Sequence, residues 1–283
     1  EKYAKYIEGE KARLGEDSDE FQMSYNLQWK LERGMFITLQ EISKWGNEEE
    51  ETRYSDLENT YVVGIDVAKS SDSTVMTFME VDFKAPLIVE ESQDMDVPDF
   101  VVFPKTIRKW VQIDNSDFEE QYYEILDELR LFNVTTLIID ATSMGGPIYS
   151  RLKANLGHKM EVIPFEFSTS SKSELYIHYD REFKAGRVRY PAGENTRNTI
   201  PYRRFISEHT ELTKEHRGKY LVVKHPETRG ARDDYPDSTA LAVWGARGGE
   251  VPVPKMEDNV FAGDMRMSNA FYEGKNSYTA RRR

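Results

Sequence analysis

Two runs of apolar and β-branched residues open the regular part of the hydrophobic pattern. Residues 61–68 read Tyr-Val-Val-Gly-Ile-Asp-Val-Ala, and a second such run occupies 74–81 after the polar residues 69–73. Runs of this kind are typical of β-strands, and the short polar turn between them predicts an antiparallel hairpin. Apolar residues further on predict a third strand and an inserted hairpin, drawn from 86–90, 100–103 and 111–113.

Helices and strands alternate in the following part of the chain. A capping box formed by Ser116 and Glu119 predicts a helix that runs to about Leu131, and Val134–Asp140 is an apolar run typical of a buried parallel strand. Further helices are predicted at 147–157, 170–184, 195–208 and 234–246, and further strands at 162–165, 211–213 and 220–224. Antiparallel strands first and parallel strands later predict an α/β fold of ribonuclease-H-like type, a mixed sheet flanked by helices.

The two ends of the chain lack this pattern. Residues 1–58 are charged and irregular, with helical spacing in parts and a polar acidic stretch, so we expect a lead-in or linker rather than core. Residues 249–283 have no periodic apolar positions and predict a flexible tail, which leaves 59–248 as the folded domain. Because the sequence begins at Glu1 inside a predicted helix, we interpret it as part of a longer chain.

Composition and charge narrow the chemistry. The absence of cysteine excludes disulfides, zinc–thiolate sites and cysteine nucleophiles, and the apolar runs fall short of the roughly 18 residues of a membrane span. We interpret the protein as soluble and intracellular. The net charge of −12 argues against a nucleic-acid partner, but residues 1–150 carry −18 and residues 151–232 carry +7. The whole-chain value therefore hides a basic segment that could approach phosphate.

Five aspartates stand at positions where a charge needs an explanation. Asp66 interrupts an apolar strand, and a charge there costs several kcal/mol unless it is paired or metal-bound. Asp140 ends a buried strand, the place where open α/β sheets bind ligands. Asp233, Asp234 and Asp237 begin the last helix. If the first strand is central and the strand after the first helix lies beside it, Asp66 and Asp140 become neighbours, and the last helix could bring Asp237 alongside.

Three neighbouring carboxylates repel one another unless cations lie between them. Oxygen ligands without His or Cys select Mg²⁺ or Mn²⁺, and two such ions roughly 4 Å apart would bind both sides of a scissile phosphate. The pattern predicts metal-dependent phosphodiester hydrolysis. Each acid also has a structural interpretation: Asp140 as a turn former at a strand end, and Asp237 as a residue favoured by the helix dipole.

Three short motifs resemble the nuclease domain of the large terminase subunit of tailed bacteriophages. They are Gly64-Ile-Asp-Val-Ala68 followed by Ser71-Asp-Ser-Thr74, then Leu137-Ile-Ile-Asp140, and then Asp233-Asp-Tyr-Pro-Asp-Ser-Thr-Ala240. The stretch Phe183–Pro191 and the lead-in Phe21–Phe36 are also similar, so the resemblance covers roughly residues 20–247. The motifs are short, and their specificity lies in their order and spacing.

The resemblance implies a ribonuclease-H-like, metal-dependent endonuclease that cuts concatemeric double-stranded DNA during viral packaging in the host bacterial cytoplasm. It implies Asp66, Asp140 and Asp237 as catalytic ligands of two Mg²⁺ or Mn²⁺ ions, with Asp234 assisting. The implied partners are double-stranded DNA, the portal protein, the small terminase subunit and an N-terminal ATPase domain. No G-x-x-x-x-G-K-[ST] phosphate-binding loop occurs, so we expect the nuclease half alone.

A basic segment lies between the second and third acidic positions, and it predicts a track for the DNA backbone. The residues assigned to DNA binding are Arg187, Arg189, Arg203, Arg204, Arg217, Lys219 and Lys172. A solvated, salt-bridged surface is the alternative for this segment. For the whole chain, two alternatives remain: an actin-like or sugar-kinase-type phosphotransfer fold, and a non-catalytic DNA-binding module of the packaging machinery.

Overall fold

A seven-stranded mixed sheet with helices on both faces organises the fold. The computed structural model describes residues 2–16, 18–25, 33–55, 59–67, 73–83, 87–89, 100–114, 117–142, 145–226 and 231–249. The predicted tail beyond residue 249, the polar turn at 69–72 and the centre of the 21–36 segment lie outside the described residues.

The helices and strands follow one another in an order close to the predicted one. The strands are β1 (Arg33–Met35), β2 (Gly46–Asn47), β3 (Thr60–Asp66), β4 (Thr74–Val81), β5 (Leu87–Val89), β6 (Phe100–Val102), β7 (Lys105–Ile113), β8 (Val134–Asp140), β9 (Glu161–Phe165), β10 (Val188–Pro191), β11 (Thr213–Arg217) and β12 (Tyr220–Lys224). The helices are α1 (Lys2–Leu14), α2 (Asp19–Ser24), α3 (Leu39–Ser43), α4 (Phe118–Leu129), α5 (Gly145–Leu156), α6 (Thr169–Lys184), α7 (Glu194–Arg197), α8 (Ile200–Glu211) and α9 (Asp234–Gly245), followed by a 3₁₀ turn at Ala246–Gly249.

The sheet order is β2-β10-β7-β4-β3-β8-β9. β4 pairs antiparallel with both β3 and β7, whereas β8 is parallel to β3 and β9 is parallel to β8. β3, the first strand predicted from the sequence, is therefore central, and β8, the strand that follows α4, lies beside it. This arrangement confirms the predicted ribonuclease-H-like fold. The predicted inserted hairpin is also present as the antiparallel pair β5–β6, separate from the main sheet.

The two faces of β3 bury alternate side chains against different helices. Tyr61, Val63 and Ile65 belong to one apolar cluster, which also contains residues of α4 and α5. Val62 belongs to the second cluster, which contains residues of α6, α8 and α9. A central strand covered on both faces explains the near-continuous apolar run seen in the sequence.

None of the helices in the described part of the chain combines the length and apolarity that crossing a bilayer requires.

The lead-in is part of the core, contrary to the expectation from its polar sequence. Phe36, Ile37 and Ile42 are fully buried in the cluster shared with α6 and α9. β1 pairs with β11, and β2 extends the main sheet by pairing with β10. Strands of two or three residues carry too little periodicity to be seen in the sequence. These short strands form because the main sheet and the three-stranded sheet β1-β11-β12 supply strands for them to pair with.

Two helix boundaries also differ from the prediction. The N-cap of α4 is Asp117, whose side chain accepts hydrogen bonds from the N–H groups of Glu119 and Glu120; Ser116 lies outside the described residues. The helix expected at 195–208 is two helices, α7 and α8, because Thr199 caps a new start with Pro201 in its first turn.

Candidate active site

Asp66 and Asp140 end neighbouring parallel strands on the same face of the sheet. β3 and β8 pair in register up to Ile65 and Ile139, so the next residue of each strand is an aspartate. Side chains alternate along a strand, and Val62 and Ile138 both belong to the cluster beneath α9. Asp66 and Asp140, at even spacing from them, therefore face α9 as well. The sequence prediction that these two acids are neighbours is supported by this register.

Helix α9 crosses this face and brings the third acidic motif to the same edge. The helix approaches β3 so closely that a Cβ atom on Gly64 would lie 2.1 Å from the carbonyl oxygen of Ser238. Asp233 is the N-cap of α9, and Asp234 and Asp237 lie in its first turn. Acidic side chains are favoured at this end of a helix because its unpaired N–H groups carry partial positive charge.

Asp66 lies within reach of the charges of the other four aspartates. Burial, followed by the charges of Asp237, Asp234, Asp140 and Asp233, raises the pKa of Asp66 well above its usual range. Asp66 has no hydrogen-bond or ion-pair partner among the described residues. A carboxylate in this position favours either a proton or a nearby cation.

Asp237 is 5% exposed, and its two oxygens are both engaged. The ammonium of Lys172 lies 2.7 Å from Oδ2, and the hydroxyl of Tyr176 donates to Oδ1. Lys172 also lies 3.0 Å from an oxygen of Asp233. Burial raises the pKa of Asp237 to about 6, although the charge of Lys172 opposes that rise. Lys172, assigned from the sequence to DNA, thus bridges two of the predicted acidic residues.

Asp234 and Asp140 have other partners. The N–H of Thr142 donates to Oδ1 of Asp140 at 2.8 Å, in the turn that follows β8. Asp234 is 8% exposed and has Arg232 at 3.5 Å, while the same guanidinium donates to the hydroxyl of Ser73 at 2.9 Å. Lys172 and Arg232 thus both lie against aspartates of α9.

The donor set suits a hard divalent cation. All candidate ligands are aspartate oxygens. Burial, and after it the neighbouring carboxylates, raise the pKa of Asp66, so a cation between the acids would relieve repulsion. As the side chains stand, no three His, Cys, Asp or Glu side chains in the described ranges converge closely enough to hold a metal ion. Asp237 in particular is turned toward Lys172 and Tyr176.

The sequence prediction for Arg187 needs correction. Arg187 is 5% exposed, and its guanidinium donates to the carboxylate of Glu182, which is fully buried and also paired with Lys105 at 2.7 Å. The same guanidinium donates to the carbonyls of Ala12 and Arg13, at 2.9 and 2.8 Å. A side chain bonded on all sides in this way docks the C-terminal end of α1 and does not reach DNA.

Arg189 is exposed, but it lies on β10, three strands away from β3. It pairs with Thr106 of β7, Thr106 pairs with Glu80 of β4, and Glu80 pairs with Tyr61 of β3. Tyr61 precedes Asp66 by five residues, which is about 17 Å along a strand. The guanidinium of Arg189 stacks over Trp45, 4.7 Å from the ring centre. The register therefore separates Arg189 from the aspartate cluster.

The hairpin β11–β12 brings two other predicted DNA contacts toward the acids. The N–H of Leu221 donates to the hydroxyl of Ser173 at 2.9 Å, which places the hairpin tip beside Lys172 and the start of α6. Arg217 and Lys219 are exposed at that tip. On α8, Arg203 is exposed and Arg204 is half-buried, one turn before Glu208.

Two residues of the site escaped the sequence analysis. Tyr176 follows Lys172 by one helical turn and reaches the same aspartate. Glu208 on α8 accepts a hydrogen bond from the N–H of Tyr235 at 2.9 Å, which satisfies one of the unpaired donors at the start of α9. Helical spacing from Lys172 could have suggested Tyr176, but no local signal connects Glu208 with α9.

The chain is similar in structure to several proteins of known structure. The chain is similar to the large terminase nuclease from thermophilic phage G20c with bound magnesium, at a TM-score of 0.52 and 16% identity over 73% of this chain and 96% of that one. The same nuclease with bound cobalt gives the same values. The large terminase from a second thermophilic bacteriophage matches at a TM-score of 0.54 and 12% identity, over 84% of this chain and 51% of that one. No protein-family model and no curated protein matches the sequence.

The strand order, the placement of α9 and these structural matches agree with one another. At such low sequence identity the structural matches establish the fold alone, and the chemistry has to be inferred from the residues of this chain. This chain has the ribonuclease-H-like fold of the nuclease domains of bacteriophage large terminases.

Proposed function

We propose that this chain is the nuclease domain of a viral DNA-packaging terminase, an Mg²⁺- or Mn²⁺-dependent endonuclease that cuts concatemeric double-stranded DNA. The observation that supports it best is the group of five mutually interacting aspartates at the edge of a sheet with this fold. Asp66, Asp140 and Asp237 would hold two ions, with Asp234 assisting. The portal protein, the small terminase subunit and an ATPase domain in a longer chain are the proposed partners.

The chain's own residues prepare the site for a phosphodiester. The ends of β3 and β8 and the start of α9 fix the backbone positions of the carboxylates. Rotation of side chains, chiefly of Asp237 away from Lys172, would complete the site on binding. Divalent ions held there would supply positive charge to the phosphate oxygens and lower the pKa of an attacking water. The exposed cations at the β11–β12 tip, Arg217 and Lys219, would contact the DNA backbone beside the acids and confer little base selectivity.

Digestion of supercoiled plasmid tests this proposal. With Mn²⁺ we expect nicking and linearisation that EDTA abolishes. Asp66→Asn and Asp140→Asn should each lower the rate more than about 100-fold, because losing a metal ligand removes several kcal/mol of transition-state stabilisation. Asp127→Asn is the matched control, since Asp127 is an exposed aspartate of α4 paired with Arg130 and should cut at the wild-type rate.

The melting temperature in EDTA separates lost chemistry from lost folding. Burial and the neighbouring charges disfavour the ionised form of Asp66, so Asp66→Asn should melt at the wild-type temperature or above it. Cutting at the wild-type rate by either variant, or cutting that resists EDTA, would contradict the proposal. DNA binding without any cleavage in Mn²⁺ would favour the non-catalytic packaging module instead.

A further inference from the structure

Lys172 occupies an unusual place for a lysine. It lies in the first turns of α6, near the positive end of that helix, where a cation is electrostatically unfavourable. Its ammonium lies 5.1 Å from the ring centre of Phe167 and 5.6 Å from that of Tyr176, and only about a quarter of the side chain is exposed. Nothing in the helix itself favours a positive charge at this position. The stabilisation of the Lys172 ammonium must therefore come from groups on other elements of the site.

Those partners are two aspartates of α9. The ammonium lies 2.7 Å from Oδ2 of Asp237 and 3.0 Å from Oδ2 of Asp233, and both contacts span more than sixty residues of sequence. Lys172 is therefore a charged group held against an oxygen of Asp237, a carboxylate that a divalent ion would use.

Two cations lie against the aspartates of α9. On the α9 side, Lys172 lies against Asp233 and Asp237, and Arg232 lies against Asp234. On the strand side, Asp66 has no partner among the described residues. A divalent ion attracted to Asp66 can include Asp237 only if that carboxylate turns from the ammonium, because two cations a few ångströms apart repel strongly in a partly buried site.

We propose that Lys172 is a tethered cation that competes with divalent metal for Asp237, so that it sets the metal concentration at which the site loads. This rests on the proposed function, because it concerns the same metal site. In the metal-free chain the ammonium reduces repulsion among the aspartates of α9. On loading, the metal replaces it on Asp237. Lys172 is thus a positioning residue that acts through the aspartates.

Mn²⁺ binding by the full chain without DNA, followed by electron paramagnetic resonance, tests the competition. Lys172→Met should bind Mn²⁺ about tenfold more tightly than the wild type, the effect of removing one neighbouring like charge. Lys172→Arg keeps the charge and should bind as the wild type does. Lys172→Gln keeps an N–H donor without the charge and should also tighten binding, which preserves the test if the methionine variant folds poorly. Lys159→Met, at an exposed lysine after α5, should change nothing.

A second readout is the melting temperature. Lys172→Met should melt below the wild type in EDTA, where repulsion is unrelieved, and should gain more than the wild type on addition of Mn²⁺. Equal or weaker Mn²⁺ binding by both Lys172→Met and Lys172→Gln would overturn the competition while leaving the nuclease proposal intact. Absence of Mn²⁺ binding by the wild-type chain would overturn the metal site itself, and both proposals with it.

Discussion

Glu208 positions the acidic residues of the site indirectly, through the backbone of α9. Its carboxylate, 6% exposed, accepts the N–H of Tyr235 and so holds the first turn of α9, which carries three of the aspartates. Burial is the main reason that the pKa of Glu208 rises to about 7, and the charge of Asp234 adds to it. The start of α9 is therefore held by an acid that resists ionisation in the folded state.

This pKa predicts a pH-dependent stability. Between about pH 4.5 and 7 the folded chain keeps a proton on Glu208 that the unfolded chain releases, so stability falls as the pH rises through this window. Glu208→Gln cannot ionise but can still accept from Tyr235. Between pH 5 and pH 8 we expect the free energy of unfolding of Glu208→Gln to rise by about 1–3 kcal/mol relative to that of the wild type.

Thermal unfolding in EDTA across that pH range measures the difference between the two chains. Glu211→Gln, at an exposed position three residues further along the same helix, is the control and should follow the wild type at every pH. A constant offset between Glu208→Gln and the wild type would show that Glu208 does not titrate in this window.

At the scale of elements, the contact between α9 and β3 decides where the third acid lies. Gly64 permits this contact, because a side chain there would collide with the backbone of Ser238 and Ala242. The elements that carry the first two acids are predictable from the sequence, since each is a long run of apolar residues with an aspartate within it or at its end. The close approach of α9 is not, because a glycine within a strand indicates close packing without naming the partner.

Gly64→Ala should therefore destabilise the chain by at least about 2 kcal/mol, because a backbone oxygen and an amide nitrogen must move to admit the methyl group. Gly34→Ala is the matched control. Gly34 also lies in a strand, but a Cβ atom there meets no atom within 4 Å, so the change should be neutral or should stabilise by up to about 1 kcal/mol. Guanidinium unfolding of both variants measures the difference, and equal stabilities would contradict the close contact.

At the scale of the whole molecule, the basic segment divides into three environments. Arg187 is hydrogen-bonded to Glu182 and to the end of α1. Arg189 lies on β10, three strands away from β3. The β11–β12 tip, in contrast, lies beside the start of α6 and so near the acids. Net charge by segment correctly identified a basic part of the chain but could not order its members in space. A DNA path that includes the aspartates would pass the hairpin tip.

The salt dependence of DNA binding distinguishes these environments. In EDTA, where no cutting occurs, Arg217→Ala combined with Lys219→Ala should lower affinity for duplex DNA. The pair should also reduce the slope of log K against log salt by about 1–2, roughly 0.9 for each lost phosphate contact. Arg189→Ala removes an exposed charge on β10, three strands away from β3, and should leave the slope unchanged. The reverse result would place the DNA along β10.

The sequence by itself determined the strands β3, β4 and β8, their order in a mixed sheet, and the aspartates that end or follow them. These signals are local: an apolar run fixes a strand, and a charge within or at the end of it is visible without knowledge of its neighbours. Tertiary structure alone decided what each charge meets. Lys172 and Asp237 are 65 residues apart, and Glu208 and Tyr235 are 27 apart. Such pairs form only when α6, α8 and α9 pack on one face of the sheet, and side-chain chemistry alone cannot distinguish a lysine bound to aspartate from one bound to phosphate.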